Sequence, residues 1–108
     1  MPFPVFLTAA AASDLEELYH YIAWHDAPEK AEQVLTKIEK TLRSLSESPD
    51  RGVYPKELLA LGIRDYREIF FKPYRLIYRV MGQRAYVLLI VDGRRDMQTL
   101  LQRRLLED

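Results

Sequence analysis

The stretch YREIFFKPYRLIYRVMGQRAYVLLIVDGRRD, residues 66–96, decides how the chain folds. It reads as three strands joined by two tight turns. The first strand covers about 64–71, Lys72-Pro73 turns the chain, the second covers 74–81, Gly82-Gln83 turns it again, and the third covers 84–91. Connections this short favour antiparallel pairing. In the middle strand Tyr74, Leu76, Tyr78 and Val80 alternate with Arg75, Ile77, Arg79 and Met81. Successive strand residues point to opposite faces, so one face is apolar and the other presents two arginines. Tyr86 to Val91 is apolar throughout, as expected of a central strand with both faces in use.

Upstream, Phe3 to Thr8 is a short apolar run that suits a first strand, expected inside the sheet. Ser13 followed by Asp14, Glu16 and Glu17 reads as an N-cap with acidic residues in the first turn. Leu15, Leu18, Tyr19, Ile22 and Ala23 then recur at helical spacing to about Trp24. Pro28 opens a second helix, in which Ala31, Val34, Leu35, Ile38, Leu42 and Leu45 form one apolar stripe. Ser48-Pro49-Asp50-Arg51-Gly52 ends it, a single helical turn is expected near 57–60, and Met97, Leu100, Leu101 and Leu105 suggest a short C-terminal helix. The order is β-α-α-β-β-β-α. The expected fold is therefore α+β, with an antiparallel β-sheet and the N-terminal helical hairpin packed on one face. It forms a single domain over residues 1–108, with Arg67 and Arg75 lining the open opposite face.

Composition narrows the function classes. The chain has 108 residues, no cysteine and two histidines, His20 and His25, whose pattern does not make a zinc site, so no metal and no cofactor are indicated. No apolar run is long enough to span a membrane and the N-terminus lacks a basic signal-type region, which points to the cytoplasm. Net charge is zero, yet residues 1–50 carry −5 and residues 51–108 carry +5. A basic sheet half suits an acidic partner, while the zero total argues against tight non-specific binding of nucleic acid.

No Ser-His-Asp pattern, phosphate loop or GxGxxG is present. His20 reads as a helix surface residue, and Tyr54, Tyr66, Tyr74, Tyr78 and Tyr86 read as cross-strand packing residues before they read as base-stacking ones. The arginines Arg67, Arg75, Arg79, Arg94 and Arg95 are the candidate binding residues. Gathered at one end of the sheet, their guanidinium forks suit phosphate or carboxylate recognition; alternatively each pairs with Glu68, Asp65, Asp92 or Asp96.

Several of these segments carry a family resemblance. Ser13-Asp14-Leu15 opening a helical hairpin, Gly62-Ile63-Arg64, the segment Tyr74 to Val80 (YRLIYRV) and a final strand into Asp92-Gly93-Arg94-Arg95-Asp96 resemble the RelE/ParE superfamily of type II toxins, over nearly the whole chain. The resemblance implies two alternative activities. RelE-like members cut mRNA on the ribosome with basic residues and an acid/base; ParE-like members lack that machinery and poison DNA gyrase. Arg75 matches the strand arginine common to the superfamily and Arg95 the second arginine of RelE-like sites. The RelE-like lysines have no counterpart, since Glu68, Ile69, Phe70 and Phe71 occupy that region. Leu101 stands where a tyrosine is expected, and Asp92 where many relatives place a histidine. Without a group that gives up a proton near neutrality, RNA cleavage lacks its base, so no catalytic residue is assigned and an enzyme is not favoured. The resemblance therefore implies a ParE-like, plasmid-stabilisation type toxin that inhibits gyrase by protein contact. Its partner would be a ParD-like antitoxin in a hetero-oligomer, with Arg67, Arg75 and Arg79 offering a basic, aromatic-edged groove for antitoxin carboxylates. The alternatives are a ribosome-dependent mRNA endonuclease and a non-toxic binding module on the same fold.

Overall fold

The computed structural model describes residues 3–106. The chain begins with strand β1 (Val5–Leu7), followed by helices α1 (Ala9–His25) and α2 (Pro28–Glu47) and a short α3 (Lys56–Leu59). Strands β2 (Arg67–Phe71), β3 (Tyr74–Met81) and β4 (Arg84–Asp92) follow, and α4 (Met97–Leu101) runs on into a π-helical turn over Gln102–Leu106. The expected element order and α+β architecture are present, and the differences lie in how the pieces join.

Helix α1 starts one turn earlier than Ser13 suggests. Thr8 is the N-cap, its hydroxyl accepting from the Ala11 amide at 3.1 Å, because the alanine run after it is strongly helix-forming. Ser13 and Asp14 therefore sit inside the helix. Asp14 falls on the stripe shared by Ala11, Leu18 and Ile22, so it is buried and does not serve the first-turn dipole. Pro28 occupies the first turn of α2, where its missing N–H costs nothing, and Ala31, Val34, Ile38, Leu42 and Leu45 are buried as one stripe.

The sheet order is β1-β4-β3-β2. The three tightly connected strands take neighbouring places, so β1 has only an outer flank available and pairs parallel with β4, Val5 opposite Ala85 and Leu7 opposite Val87. The expectation of an interior first strand is corrected: β1 is an edge. Ile69, Leu76, Tyr78, Val87 and Ile90 meet the helical hairpin in the main core. Each large apolar side chain fully buried there contributes about 2 kcal/mol.

The opposite face is not open as expected. Leu58 of α3 and Met97 and Leu101 of α4 close over Ile77, Leu89 and Val91 to make a second, smaller core. The part of that face near the β3–β4 turn stays uncovered, and Phe70, opposite Arg75 on β2, is exposed on it as well. Between those regions β4 carries a bulge: Ile77 pairs with Leu89 and Tyr78 with Val87, so Leu88 is the extra residue. Beyond the bulge the backbone groups that face the outer edge of β4 change parity, and β1 is too short to cover them. Side chains do so instead. The Asp14 carboxylate accepts from the Ile90 amide at 3.1 Å, and Arg104 donates to the Leu88 carbonyl at 3.1 Å while pairing with Asp14.

Candidate functional site

Arg75 lies at the centre of the expected site, and it is spoken for. Strand alternation aims it at the outer face, where Glu68 of β2 is a diagonal neighbour. Its Nε donates to Glu68 Oε1 at 2.6 Å and Nη2 to Glu68 Oε2 at 3.0 Å. Nη1 and Nη2 reach Glu57 Oε2 and Oε1, both at 2.8 Å. Glu57 arrives because Pro55 sets the start of α3 and the buried Leu58 anchors it on the sheet. Arg75 and Glu68 are 8% and 4% exposed, so the cluster is walled off from large ligands.

The electrostatics agree with the geometry. The bond from Arg75 holds the Glu57 carboxyl below the ordinary carboxylate value, and Glu57 in turn pushes the guanidinium further up. Two carboxylates against one guanidinium leave the cluster one unit negative. Such a site repels a phosphate rather than gripping it. The Arg75 stem also runs against the backbone at Gly93, where an added Cβ would lie 2.6 Å from Cδ, which accounts for glycine in the Asp92-Gly93-Arg94-Arg95 turn.

The other candidates do not converge on Arg75. Arg67 pairs in register with Tyr78 and so shares the helix-side face. There its Nη1 donates to the Gly52 carbonyl at 2.9 Å and its guanidinium lies 4.8 Å from the Tyr54 ring centre, tying down the loop after α2. Arg79 is on the outer face, 5.7 Å from the Tyr66 ring centre and 3.7 Å from Asp65. Arg94 is paired with Asp92 at 2.5 Å, and that bond lowers the Asp92 carboxyl below its ordinary value. Asp92 is thus an engaged carboxylate rather than a free base. The pairing alternative describes Arg75, Arg79 and Arg94, and a basic groove built jointly from Arg67, Arg75 and Arg79 is not formed, because these side chains occupy two faces and one is buried.

Arg94 and Arg95 instead rim a cleft of ≈ 540 Å³ on the helix side of β4, whose floor and walls include Leu18, Tyr21, Ile22, Tyr74 and Ile90. His25 stacks on Tyr21 at 4.1 Å and its Nδ1 lies 3.1 Å from the Tyr21 carbonyl, while His20 stands 3.9 Å from Glu16 on the exposed side of α1. Sequence reasoning missed Glu57, Asp14 and Arg104. A lone carboxylate on an apolar helical stripe was the signal for Asp14. Nothing local announced the other two, whose partners lie 18 and 90 residues away.

A family model described as the ParE toxin of type II toxin-antitoxin system, parDE, matches residues 5–97. The chain belongs to the ParE toxin family. It is 27% identical over 97 residues to Toxin ParE3 of Caulobacter vibrioides, covering 90% of this chain and 93% of that protein. Among solved structures, the chromosomal ParDE toxin-antitoxin system of P. aeruginosa has a similar chain with a TM-score of 0.70 at 24% identity, over 83% of this toxin and 95% of that chain. An E. coli RelE toxin mutant in the free state aligns with a TM-score of 0.63 at 18% identity, over 97% and 100% of the two chains. The ParE-family toxin described here therefore shares its mixed fold with both branches of the superfamily. Among its described residues no helix is long and apolar enough to cross a membrane.

Proposed function

We propose that this ParE-family toxin acts in the cytoplasm by protein–protein contact, inhibiting DNA gyrase, and that a cognate ParD-like antitoxin neutralises it in a hetero-oligomer. The observation that carries the non-nuclease reading is the Arg75 cluster. A ribonuclease on this scaffold needs a cation to meet charge developing on phosphate and a base to take the 2′-hydroxyl proton. Arg75 is instead saturated by Glu57 and Glu68, and Asp92 is held by Arg94. With this strand arginine withdrawn, contact surfaces remain as the means of action. The antitoxin reading is supported by the family itself and by the ParDE relative, whose description names a toxin-antitoxin system.

Expression in a host without antitoxin tests this reading. Growth arrest with filamentation and induction of the DNA-damage response is expected, relieved by co-expressing the cognate antitoxin. Arrest of translation without filamentation favours the ribosomal target, and unchanged growth favours a non-toxic binding module.

A further inference from the structure

The outer face of the sheet is closed at one end and bare at the other. The small core under α3 and α4 covers Ile77, Leu89 and Val91. Towards the β3–β4 turn the cross-strand register sets Arg79 opposite Tyr86, Tyr86 beside Phe6, and Met81 opposite Arg84. Residues opposite one another on paired strands point the same way, so these five share the bare face. Met81 is 52% exposed and Phe6 44%. The rings of Phe6 and Tyr86 stack at 5.6 Å, and the Arg84 guanidinium lies 5.9 Å from the Phe6 ring centre. Together with Pro4 and Leu88, the residues Met81, Arg84 and Tyr86 line a shallow depression of ≈ 920 Å³.

Charge decides what fits there. Among the described residues Arg84 makes no ion pair and Arg79 makes one, with Asp65 at 3.7 Å on an exposed side chain. An apolar and aromatic strip flanked by two under-neutralised guanidiniums complements a segment that alternates apolar and acidic side chains. A nucleic acid would find two cations, too few for backbone tracking, and would leave Met81 and Leu88 against a charged strand.

We propose that this bare end of the sheet is the docking surface for an acidic, amphipathic segment of the antitoxin. The apolar side chains of the segment would cover Phe6, Tyr86 and Met81, and its carboxylates would meet Arg79 and Arg84 with charge-assisted bonds. The assignment rests on the antitoxin reading above. It differs from the groove expected from sequence by excluding Arg67 and Arg75 and adding Phe6, Arg84 and Tyr86.

The test is titration calorimetry of the full-length toxin with its full-length cognate antitoxin. The double variant Arg79→Glu/Arg84→Glu is expected to bind about 100-fold more weakly. Reversing acidic residues of the antitoxin segment to lysine should restore much of the loss, and Lys30→Glu on the exposed side of α2 should change nothing. Should the double variant fold poorly, Arg84→Glu alone carries the test with about a tenfold loss, since Arg84 has no carboxylate partner to lose among the described residues. Full affinity in the variants, or a loss confined to binding of gyrase or of RNA, overturns the docking assignment while leaving the toxin reading intact. Absence of any binding between the wild-type proteins overturns both.

Discussion

Glu57 and Arg75, 18 residues apart, face each other through two hydrogen bonds of 2.8 Å, and this pair fastens α3 to the sheet. Glu68 engages the same guanidinium from below. Removing the shared cation strands two carboxylates, one of them deeply buried, so Arg75→Ala is expected to destabilise the fold by about 3 kcal/mol. Glu57→Gln leaves Arg75 neutralised by Glu68 and should cost about 1 kcal/mol. Urea unfolding of the two variants checks the order; equal losses would mean that the cluster does not work as a unit.

Acid should loosen the same fastening. Hydrogen bonding from Arg75 holds the folded-state value of Glu57 below its ordinary 4.5. Its contribution is therefore fully present above pH 4.5 and is lost as pH falls through the lower folded value. Asp92, lowered by its bond to Arg94, acts in the same direction. Stability towards urea should be nearly flat from about pH 7 to about pH 5 and fall below that. The fall should be shallower in Glu57→Gln, and identical acid limbs in the two proteins would remove Glu57 from the explanation.

Asp14 and Arg104 finish the sheet where β1 runs out. Asp14→Ala frees the Ile90 amide and leaves Arg104 without its counter-charge in a partly buried place, a loss of about 2–3 kcal/mol. Arg104→Ala should be milder, because the Ile90 bond survives. Hydrogen exchange separates the two: the Ile90 amide is expected to exchange faster in Asp14→Ala than in Arg104→Ala.

Tyr78 holds the loop after α2 by a bond in each direction. Its hydroxyl donates to the Pro49 carbonyl at 2.6 Å and accepts from the Gly52 amide at 3.0 Å. Tyr78→Phe should therefore cost about 1–2 kcal/mol with the fold retained. Gly52→Ala should cost at least as much, because its Cβ would stand 2.5 Å from the Tyr78 hydroxyl oxygen and 2.9 Å from the Glu68 carbonyl oxygen. Thermal melting of both variants, scored against an exposed substitution on α2 such as Lys40→Ala, is the check.

What could be read from the chain alone follows the range of the interactions involved. The alternation in Tyr74 to Met81 and the stripe from Ala31 to Leu45 are periodic signals within one element: the stripe is buried as expected, and the alternation sets which face each strand residue takes, although Arg75 and Ile77 are buried on the face expected to be open. Placing β1 required knowing which flank of the hairpin strands was vacant. Arg75 shows the limit most clearly: alternation aimed it at the outer face, but whether it met solvent, phosphate or Glu57 depended on Leu58 docking α3 onto that face. The Asp14 and Arg104 pair depended on a bulge at Leu88 that no local pattern marks. Arg84 was passed over because it sits at a turn, where a charged residue is unremarkable until Phe6 and Tyr86 are seen beside it.

With Arg75 withdrawn between Glu57 and Glu68, the proposed action is by contact rather than by cutting RNA. The most direct measurement gives the purified protein, in parallel, to a DNA gyrase supercoiling reaction and to ribosomes paused on a defined mRNA. Inhibition of supercoiling and intact mRNA are the result expected of action by contact. Untouched supercoiling together with cleavage of the ribosome-bound message would contradict it.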